Sequence, residues 1–261
     1  MRLEEWLDNR QLAIDMWKRK YQYKNETLDE WLDRVSNGNK EIKELIIDKK
    51  FIPAGRILAN RGLHKEGKNV CYSNCFVNKP PEDTLESIFD TAKKMARTYS
   101  LGGGCGTSIR NLRPRGSKVN NSAETSTGAV SFMDLYSLTT DVICQEGRRG
   151  ALMLSIPDNH PDLIEFINAK KDHDKINSAN ISIEVSDEFM KAVEHNEDWE
   201  LKFETDTGET IKEIVNAKEV FNMIMESNWS NAEPAMLFWD RINNWSMLSE
   251  DPEFEFAGVN P

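Results

Sequence analysis

The chain has 261 residues, of which 39% are hydrophobic and 30% are charged, a composition typical of a globular protein rather than a disordered segment. The net charge of -11 at pH 7 argues against a surface that binds nucleic acid polymers or membranes. No apolar run approaches the roughly 20 residues of a membrane span. Charged residues interrupt the N-terminal sequence, so it lacks the apolar core of a signal peptide. We therefore expect a cytoplasmic protein.

The first 50 residues predict helices. Apolar side chains in residues 1–50 recur at helical spacing, and Thr27 to Glu30 forms a capping box that marks a helix start. From Val70 the pattern changes to short strands that alternate with helices. We therefore expect a helical N-terminal domain over residues 1–65 and an α/β domain over residues 66–261.

The α/β region begins with a short strand at Cys75–Val77, followed by a helix that opens at Asp83 with a second capping box. A polar loop from Ser117 to Thr127 lacks an apolar anchor, which is typical of a functional or mobile loop. The remaining predicted elements are strands at 106–109, 151–156, 179–185 and 235–239, helices at 130–144, 161–169, 187–195 and 216–226, and a hairpin formed by 199–204 and 209–215.

Cys75 is the first candidate for chemistry. A cysteine in an apolar strand is usually an inert part of the core, whereas an accessible thiolate is redox-active, and both interpretations stay open. Cys71 lies about 13 Å away along an extended strand, too far for a disulfide between the two. The four cysteines and four histidines show no metal-ligand spacing, so we predict no metal site.

Glycines and arginines supply the other candidates. The run from Gly102 to Gly106 exceeds what a helix end requires, which favours a floor where a ligand contacts backbone over a simple C-cap. Three arginines between Arg110 and Arg115, together with Arg148 and Arg149, indicate either a phosphate clamp or a solvated face. A role as helix cap alone explains Asp83, and its carboxylate is also a candidate acceptor for sugar hydroxyls.

Taken together, six motifs in chain order resemble the large subunit of ribonucleotide reductase, most closely the adenosylcobalamin-dependent class II enzymes. The resemblance runs from about Phe51 to the last residue. It implies a helical N-terminal region followed by the first half of a ten-stranded α/β barrel, which is built of two five-stranded halves. The motifs are Ser73-Asn-Cys75-Phe-Val, Pro81-Glu-Asp-Thr-Leu-Glu-Ser-Ile, Gly102-Gly-Gly-Cys-Gly, Leu112-Arg-Pro-Arg-Gly, Gly147-Arg-Arg-Gly-Ala and Asn260-Pro261.

The resemblance implies conversion of ribonucleotides to 2′-deoxyribonucleotides by thiyl-radical chemistry. Cys75 matches the redox cysteine that reduces the substrate and ends in a disulfide, and Asn260 matches the asparagine two residues before the thiyl-radical cysteine. Asn74 and Gly104 match positions that line the substrate, as Cys75 and Asn260 do. The positions that match the deoxynucleotide effector site are Asp83, Ser100 and Arg113, with Arg148 and Arg149 in the loop that relays effector identity.

The resemblance also implies cofactors and partners. Adenosylcobalamin is the expected cofactor, bound mainly by the second half of the barrel, with a dNTP or ATP effector and a dithiol reductant such as thioredoxin. A homodimer is a further expectation. Because the family motif continues from Asn-Pro into Cys-x-Glu, we expect a split enzyme whose radical cysteine comes from a second polypeptide or a spliced extein.

Several alternatives stay open at this point. The break at Pro261 fits a natural split, an intein junction or an engineered truncation. The enzyme class corresponds to ribonucleoside-diphosphate reductase, but the residues do not decide between diphosphate and triphosphate substrates, nor do they identify the radical-generating cofactor. The alternative function is a stand-alone deoxynucleotide-binding regulatory module without catalysis.

Overall fold

The computed structural model describes residues 1–119, 123–143, 150–171, 176–246, 251, 253 and 256–259. It divides into two compact units, residues 1–74 and 75–261. The domain boundary expected at residue 65 precedes the observed one, because the segment that follows stays bonded to the first unit. Within that unit, Asn60 Nδ2 donates a hydrogen bond of 2.9 Å to the Cys71 carbonyl. Among the described residues, no helix is long and apolar enough to span a membrane.

The first unit is a set of short helices around a tryptophan cluster. Trp31 is almost fully buried, and its ring centroid lies 5.7 Å from those of both Trp6 and Trp17. The capping box predicted at Thr27 and Glu30 is present, since each side chain accepts a hydrogen bond from the other residue's backbone N–H. The elements are α1 (Leu3–Trp6), α2 (Gln11–Lys20), α3 (Leu28–Ser36), α4 (Lys40–Ile47), α5 (Gly55–Asn60) and a 3₁₀ helix (Leu63–Glu66).

The second unit is built on a five-stranded parallel sheet. Its elements are β1 (Cys75–Val77), α6 (Leu85–Ser100), β2 (Gly104–Ser108), α7 (Ser131–Ile143), β3 (Leu152–Pro157), α8 (Leu163–Asn168), β4 (Asn180–Val185), α9 (Asp187–His195), β5 (Asp198–Glu204), β6 (Thr210–Asn216), α10 (Ala217–Asn231), β7 (Ala235–Phe238) and α11 (Trp239–Asn244). The strand order is β1-β2-β3-β4-β7, and β5 and β6 form a separate antiparallel hairpin. Parallel neighbours joined through helices are the pattern expected for an α/β half-barrel.

The two faces of this sheet differ in what covers them. Side chains alternate between faces along a strand, and residues in register on neighbouring strands share a face. One face, with Cys105, Leu154 and Ile183 among its residues, packs with helices α6 to α10 in the large apolar core. We call the opposite side the second face. Its residues are Cys75, Val77, Gly104, Gly106, Ser108, Met153, Ser155, Pro157, Asn180, Ser182, Glu184, Ala235 and Leu237.

Most predicted elements are confirmed, with shifted ends. The α/β fold, the hairpin and the helix over 187–195 are present as expected. Strand β2 starts at Gly104 rather than Gly106, because Gly104 pairs in register with Cys75. Helix α10 continues to Asn231, five residues beyond its predicted end, because no glycine or proline interrupts it before Pro234.

The prediction that Asp83 caps α6 is wrong. The N-cap is Thr84, whose Oγ1 accepts a hydrogen bond of 3.2 Å from the Ser87 N–H. Asp83 points instead to Arg113, whose backbone N–H and side-chain Nε both donate to its carboxylate. A charged partner outcompetes the local cap, because hydrogen bonds between ionised groups are the stronger ones.

Candidate active site

Cys75 lies at the start of β1 on the second face, away from the helices. Its register partner is Gly104 on β2, so the thiol stands beside a position that has no side chain. Cys75 is partly exposed, and the described cysteines Cys71, Cys75 and Cys105 form no disulfide with one another. The open interpretation of Cys75 as inert core is therefore disfavoured, because the residue is absent from the apolar core cluster.

The glycine run has structural reasons that the sequence did not reveal. Gly102 adopts a left-handed φ of +80°, as the residue after a helix C-cap commonly does. A Cβ on Gly103 would lie 2.7 Å from the Phe76 ring and 2.8 Å from Thr98 Cγ2, so close packing excludes a side chain there. Of the three consecutive glycines, only Gly104 is left as a candidate for backbone contact with a ligand beside the Cys75 thiol.

Cys105 is the neighbouring cysteine on the other face, and its surroundings differ. Burial raises the pKa of the Cys105 thiol, and the polar groups of Thr98 and Asn78 oppose that rise only in part. A raised pKa keeps the sulfur protonated and poorly nucleophilic at neutral pH. The strand alternation thus assigns Cys105 to the core and the partly exposed Cys75 to the second face.

A chain segment near the end of the sequence lies over part of the second face. An ideal Cβ on Gly258 would be 3.5 Å from Val77 Cγ1, and Val77 shares its face with Cys75. The ring of Phe256 packs against Trp239, with centroids 5.6 Å apart. Asn260 lies outside the described residues. Asn74 is exposed and directly precedes β1 in sequence. The roles assigned to these two asparagines stay predictions.

A second candidate site opens at the start of α6. A cavity of about 340 Å³ is bounded by the helix start, by the Asp83–Arg113 pair and by the loop after β2. The Nε of Arg113 lies 2.6 Å from Asp83 Oδ2, and its Nη1 donates to the Lys118 carbonyl. The loop expected to lack an anchor folds back on itself through a bridge between Lys118 and Thr125. A polar wall thus faces an apolar one of Leu85, Ile88 and Phe132.

The other predicted effector residues are not brought to this cavity by the described chain. Ser100 ends α6, about 22 Å from the helix start at 1.5 Å per residue, and its hydroxyl donates to the Arg97 carbonyl. Arg148 and Arg149 lie outside the described residues. Asp83 and Arg113 are therefore the two predicted effector residues that meet here.

The three arginines between Arg110 and Arg115 do not form a joint phosphate clamp. Each is paired with a different carboxylate: Arg110 with Glu184, Arg113 with Asp83, and Arg115 with Glu165. The sequence could not reveal these pairs, because the partners lie 30 to 74 positions apart in the chain. They are structural ion pairs that hold the loop after β2 against the rest of the unit.

Comparison with known proteins now bears on this geometry. The ribonucleotide reductase barrel domain matches residues 73–254, most of the chain. The chain belongs to the ribonucleotide reductase family. The match covers the parallel sheet, β1 with Cys75, and the cavity at α6.

Individual reductases are similar over most of the chain. A vitamin B12-dependent ribonucleoside-diphosphate reductase of Thermoplasma acidophilum is 36% identical over 221 residues, 84% of this chain and 28% of the relative. One from Mycobacterium tuberculosis is 32% identical over 85% of this chain and 30% of the relative. The large subunit of the variola virus ribonucleoside-diphosphate reductase is 27% identical over 79% of this chain and 30% of the relative. The chain thus spans less than a third of the relatives it matches.

The carboxyl ends of β3 and β4 in this reductase barrel carry a buried polar group that sequence reasoning missed. Asp158 Oδ2 accepts hydrogen bonds from the backbone N–H and the hydroxyl of Ser186, which caps α9. Asp162 accepts from the N–H groups of Arg115 and Ala129, and so anchors the loop that borders the cavity. The available signal was the alternation of Asp158, His160 and Asp162 directly after a buried strand.

Burial raises the pKa of Asp158 to about 6, above the ordinary value of 3.8, despite the opposing hydrogen bonds from Ser186. A group with a raised pKa in the folded state adds stability below its unfolded pKa, and this is lost as the pH rises through 6. We predict that lowering the pH from 7.5 to 5 raises the free energy of unfolding of the wild type by about 1 kcal/mol relative to Asp158→Asn.

Urea unfolding at the two pH values measures this difference. The exposed Asp198→Asn variant is the matched control, because it also removes one carboxylate. A constant difference between the wild type and Asp158→Asn across this range would contradict the assignment.

Proposed function

We propose that this chain supplies the first half of the catalytic barrel of a ribonucleoside-diphosphate reductase. The proposed reaction converts ribonucleotides to 2′-deoxyribonucleotides by thiyl-radical chemistry. The observation that carries the proposal is the position of Cys75, on the second face and in register with Gly104. Family membership and relatives named ribonucleoside-diphosphate reductases support the substrate class.

In this proposal Cys75 is the reducing thiol. It and a second thiol each give up one hydrogen, the 2′ hydroxyl leaves as water, a new C2′–H bond forms, and the two sulfurs end as a disulfide. Gly104 and Asn74 line the substrate, since a position without a side chain lets the sugar approach the sulfur closely. Asn260 hydrogen-bonds a ribose hydroxyl. A dithiol such as thioredoxin then reduces the disulfide.

The proposed reaction needs residues that this sequence does not contain. The chain spans 28% to 30% of the first relatives it matches. We therefore assign the radical cysteine, its neighbouring glutamate and the second redox cysteine to the remainder of the barrel. That remainder is provided in the same polypeptide or by a second chain. Its strands would also pair with the outer edges of β1 and β7, which sheets otherwise protect.

The vitamin B12 dependence of the named relatives supports adenosylcobalamin as the cofactor that generates the radical. Two of the described histidines already use ring nitrogens in hydrogen bonds within the protein. His160 is buried, its Nε2 donates to the Leu112 carbonyl, and its Nδ1 accepts from the Asp162 N–H, so both ring nitrogens are engaged. His64 Nδ1 is hydrogen-bonded to the Tyr72 hydroxyl. We accordingly place the cofactor in the remainder of the barrel.

Substitution of the thiol tests the proposed reaction. In the complete reductase, Cys75→Ser is expected to reduce turnover with dithiol reductants to the background rate, because a serine hydroxyl cannot be oxidised to a disulfide. The matched control is Cys71→Ser, which removes a partly exposed thiol from the first unit and is expected to leave turnover unchanged. Undiminished turnover of Cys75→Ser would remove Cys75 from the mechanism.

We further propose that the cavity at α6 binds a deoxynucleoside triphosphate or ATP as effector. Arg113 and the start of a 16-residue helix favour an anion, and the apolar wall suits a base. Each Asp83 oxygen already accepts from Arg113, and carboxylate oxygens keep a lone pair for a sugar hydroxyl. The volume of about 340 Å³ lies at the small end of the usual range for ligand sites.

Calorimetric titration with each of the four deoxynucleoside triphosphates measures this binding. Asp83→Ala is expected to weaken the affinity at least about tenfold, because it removes the acceptor for the sugar hydroxyl and the two hydrogen bonds that orient Arg113. Glu86→Ala is the control, since Glu86 is an exposed carboxylate of the same helix turn outside the cavity. Equal affinities of the two variants would count against the site. Binding by this chain alone would support the stand-alone regulatory module.

We also propose that the chain self-associates through α6 and α7. These helices pack together and expose two apolar pairs at i, i+4 spacing, Leu85 with Phe89 and Leu138 with Val142, each side chain more than half exposed. Large apolar side chains clustered on neighbouring helices are typical of an interface. A second copy of the same surface would cover them with two-fold symmetry.

Sedimentation velocity tests this association. The wild type is expected to sediment as a dimer, and Phe89→Glu as a monomer, because a desolvated carboxylate without a partner opposes the interface. Trp229→Glu is the control, since it changes a more exposed apolar side chain, on α10 and outside the proposed interface. A wild-type monomer, or a dimer that Phe89→Glu leaves intact, would refute the proposed interface.

A further inference from the structure

The carboxyl end of the second face carries a contact that neither the redox chemistry nor the effector site explains. Side chains that follow β2 and β7 meet there with one from β4, and a later segment packs on them. We call this group the Arg110 cluster. It consists of Arg110, Glu184, Trp239 and Phe256.

Arg110 is held in one place by partners on three neighbouring strands. Its Nε donates 3.2 Å to the Ser108 hydroxyl, which donates in turn to the Ser155 carbonyl. Its Nη2 lies 2.8 Å from Glu184 Oε2, in charge contact but without the alignment of a hydrogen bond. The Glu184 side chain is 1% exposed, and its other oxygen accepts from the Ser155 hydroxyl. A carboxylate this deeply buried requires such partners.

The flat face of the Arg110 guanidinium makes a further contact, with an aromatic ring. Its carbon lies 4.6 Å from the centroid of the Trp239 ring, which is cation–π distance. Trp239 in turn packs on Phe256, which belongs to the described segment 256–259. Gly258 of that segment lies next to Val77, close enough that a Cβ on Gly258 would be 3.5 Å from Val77 Cγ1, and Val77 is two residues after Cys75 on the same face. A continuous line of contacts therefore joins Arg110 to the strand of the proposed redox thiol.

We propose that Arg110 is a positioning residue that sets the place of segment 256–259 over β1. The inference rests on the proposed function for its catalytic meaning, because Asn260, assigned there to the ribose, follows this segment directly in sequence. Arg110 is assigned no contact with substrate or cofactor in this inference. It acts by presenting Trp239 as a fixed surface on which Phe256 packs.

Lysine is the discriminating replacement at this position. It keeps the positive charge beside Glu184, so the buried carboxylate stays compensated. It lacks the planar fork that pairs with a carboxylate and stacks on an aromatic ring at the same time. Arg110→Lys should therefore free segment 256–259 without loosening the sheet. If Arg110 served only as an ion pair for Glu184, the lysine would replace it and the segment would stay in place.

Amide hydrogen exchange of the complete protein measures the position of the segment without reference to activity. Arg110→Lys is expected to speed exchange of residues 256–259 about tenfold, with β2, β3 and β4 unchanged. Trp239→Leu should give the same increase, and the double variant no more than either single one, because both remove one contact. Arg115→Lys, which alters a separate ion pair with Glu165, is the control and should change nothing at 256–259.

Kinetics of the complete reductase supply the second readout. Arg110→Lys is expected to lower kcat about tenfold while the affinity for the effector stays at the wild-type value. Wild-type exchange of residues 256–259 in Arg110→Lys, or equal loosening of segment and sheet, would overturn the inference. If the exchange result holds but no reductase activity exists in the wild type, the proposed function fails while the positioning contact stands.

Discussion

The alternation of side chains along the parallel strands is the constraint on which the rest of this structure depends. It sends Cys105, Leu154 and Ile183 into the helix-covered core and leaves Cys75 and Gly104 on the second face. A shift of one residue in β1 would bury the thiol and expose Phe76 in its place. The register with β2 therefore decides whether Cys75 is buried in the apolar core or lies where it can react.

Largely buried carboxylates hold the loops of the second unit, and each has its donors. Asp83 takes two donors from Arg113, Asp162 takes the N–H groups of Arg115 and Ala129, and Glu184 takes Ser155 with Arg110. Removing one donor would leave a desolvated charge, which costs more than the pair contributes. These pairs, together with the buried apolar residues Ile109, Leu112 and Val130, hold the segment after β2 in a defined shape.

Local signals predicted much of the fold. The capping box at Thr27, the hairpin turn at Asp206 to Gly208 and the helix over 187–195 follow from chemistry within a few residues. The Asp83 cap failed because its partner, Arg113, lies 30 positions away. The Arg110–Glu184 pair likewise depends on strand order, which periodicity does not reveal. Motif resemblance identified the family, and the role it gives Cys75 stays a prediction, whereas Asp158 and Asp162 emerged only from packing.

The central claim is that the Cys75 thiol reduces a ribonucleotide on the second face. Its most direct test is a single turnover of the fully reduced, complete reductase without external reductant, followed by alkylation and peptide mass measurement. The account predicts that Cys75 loses its reactivity towards the alkylating reagent in proportion to the deoxynucleotide formed, while Cys105 behaves as before the reaction. Formation of deoxynucleotide with Cys75 still fully alkylated would contradict it.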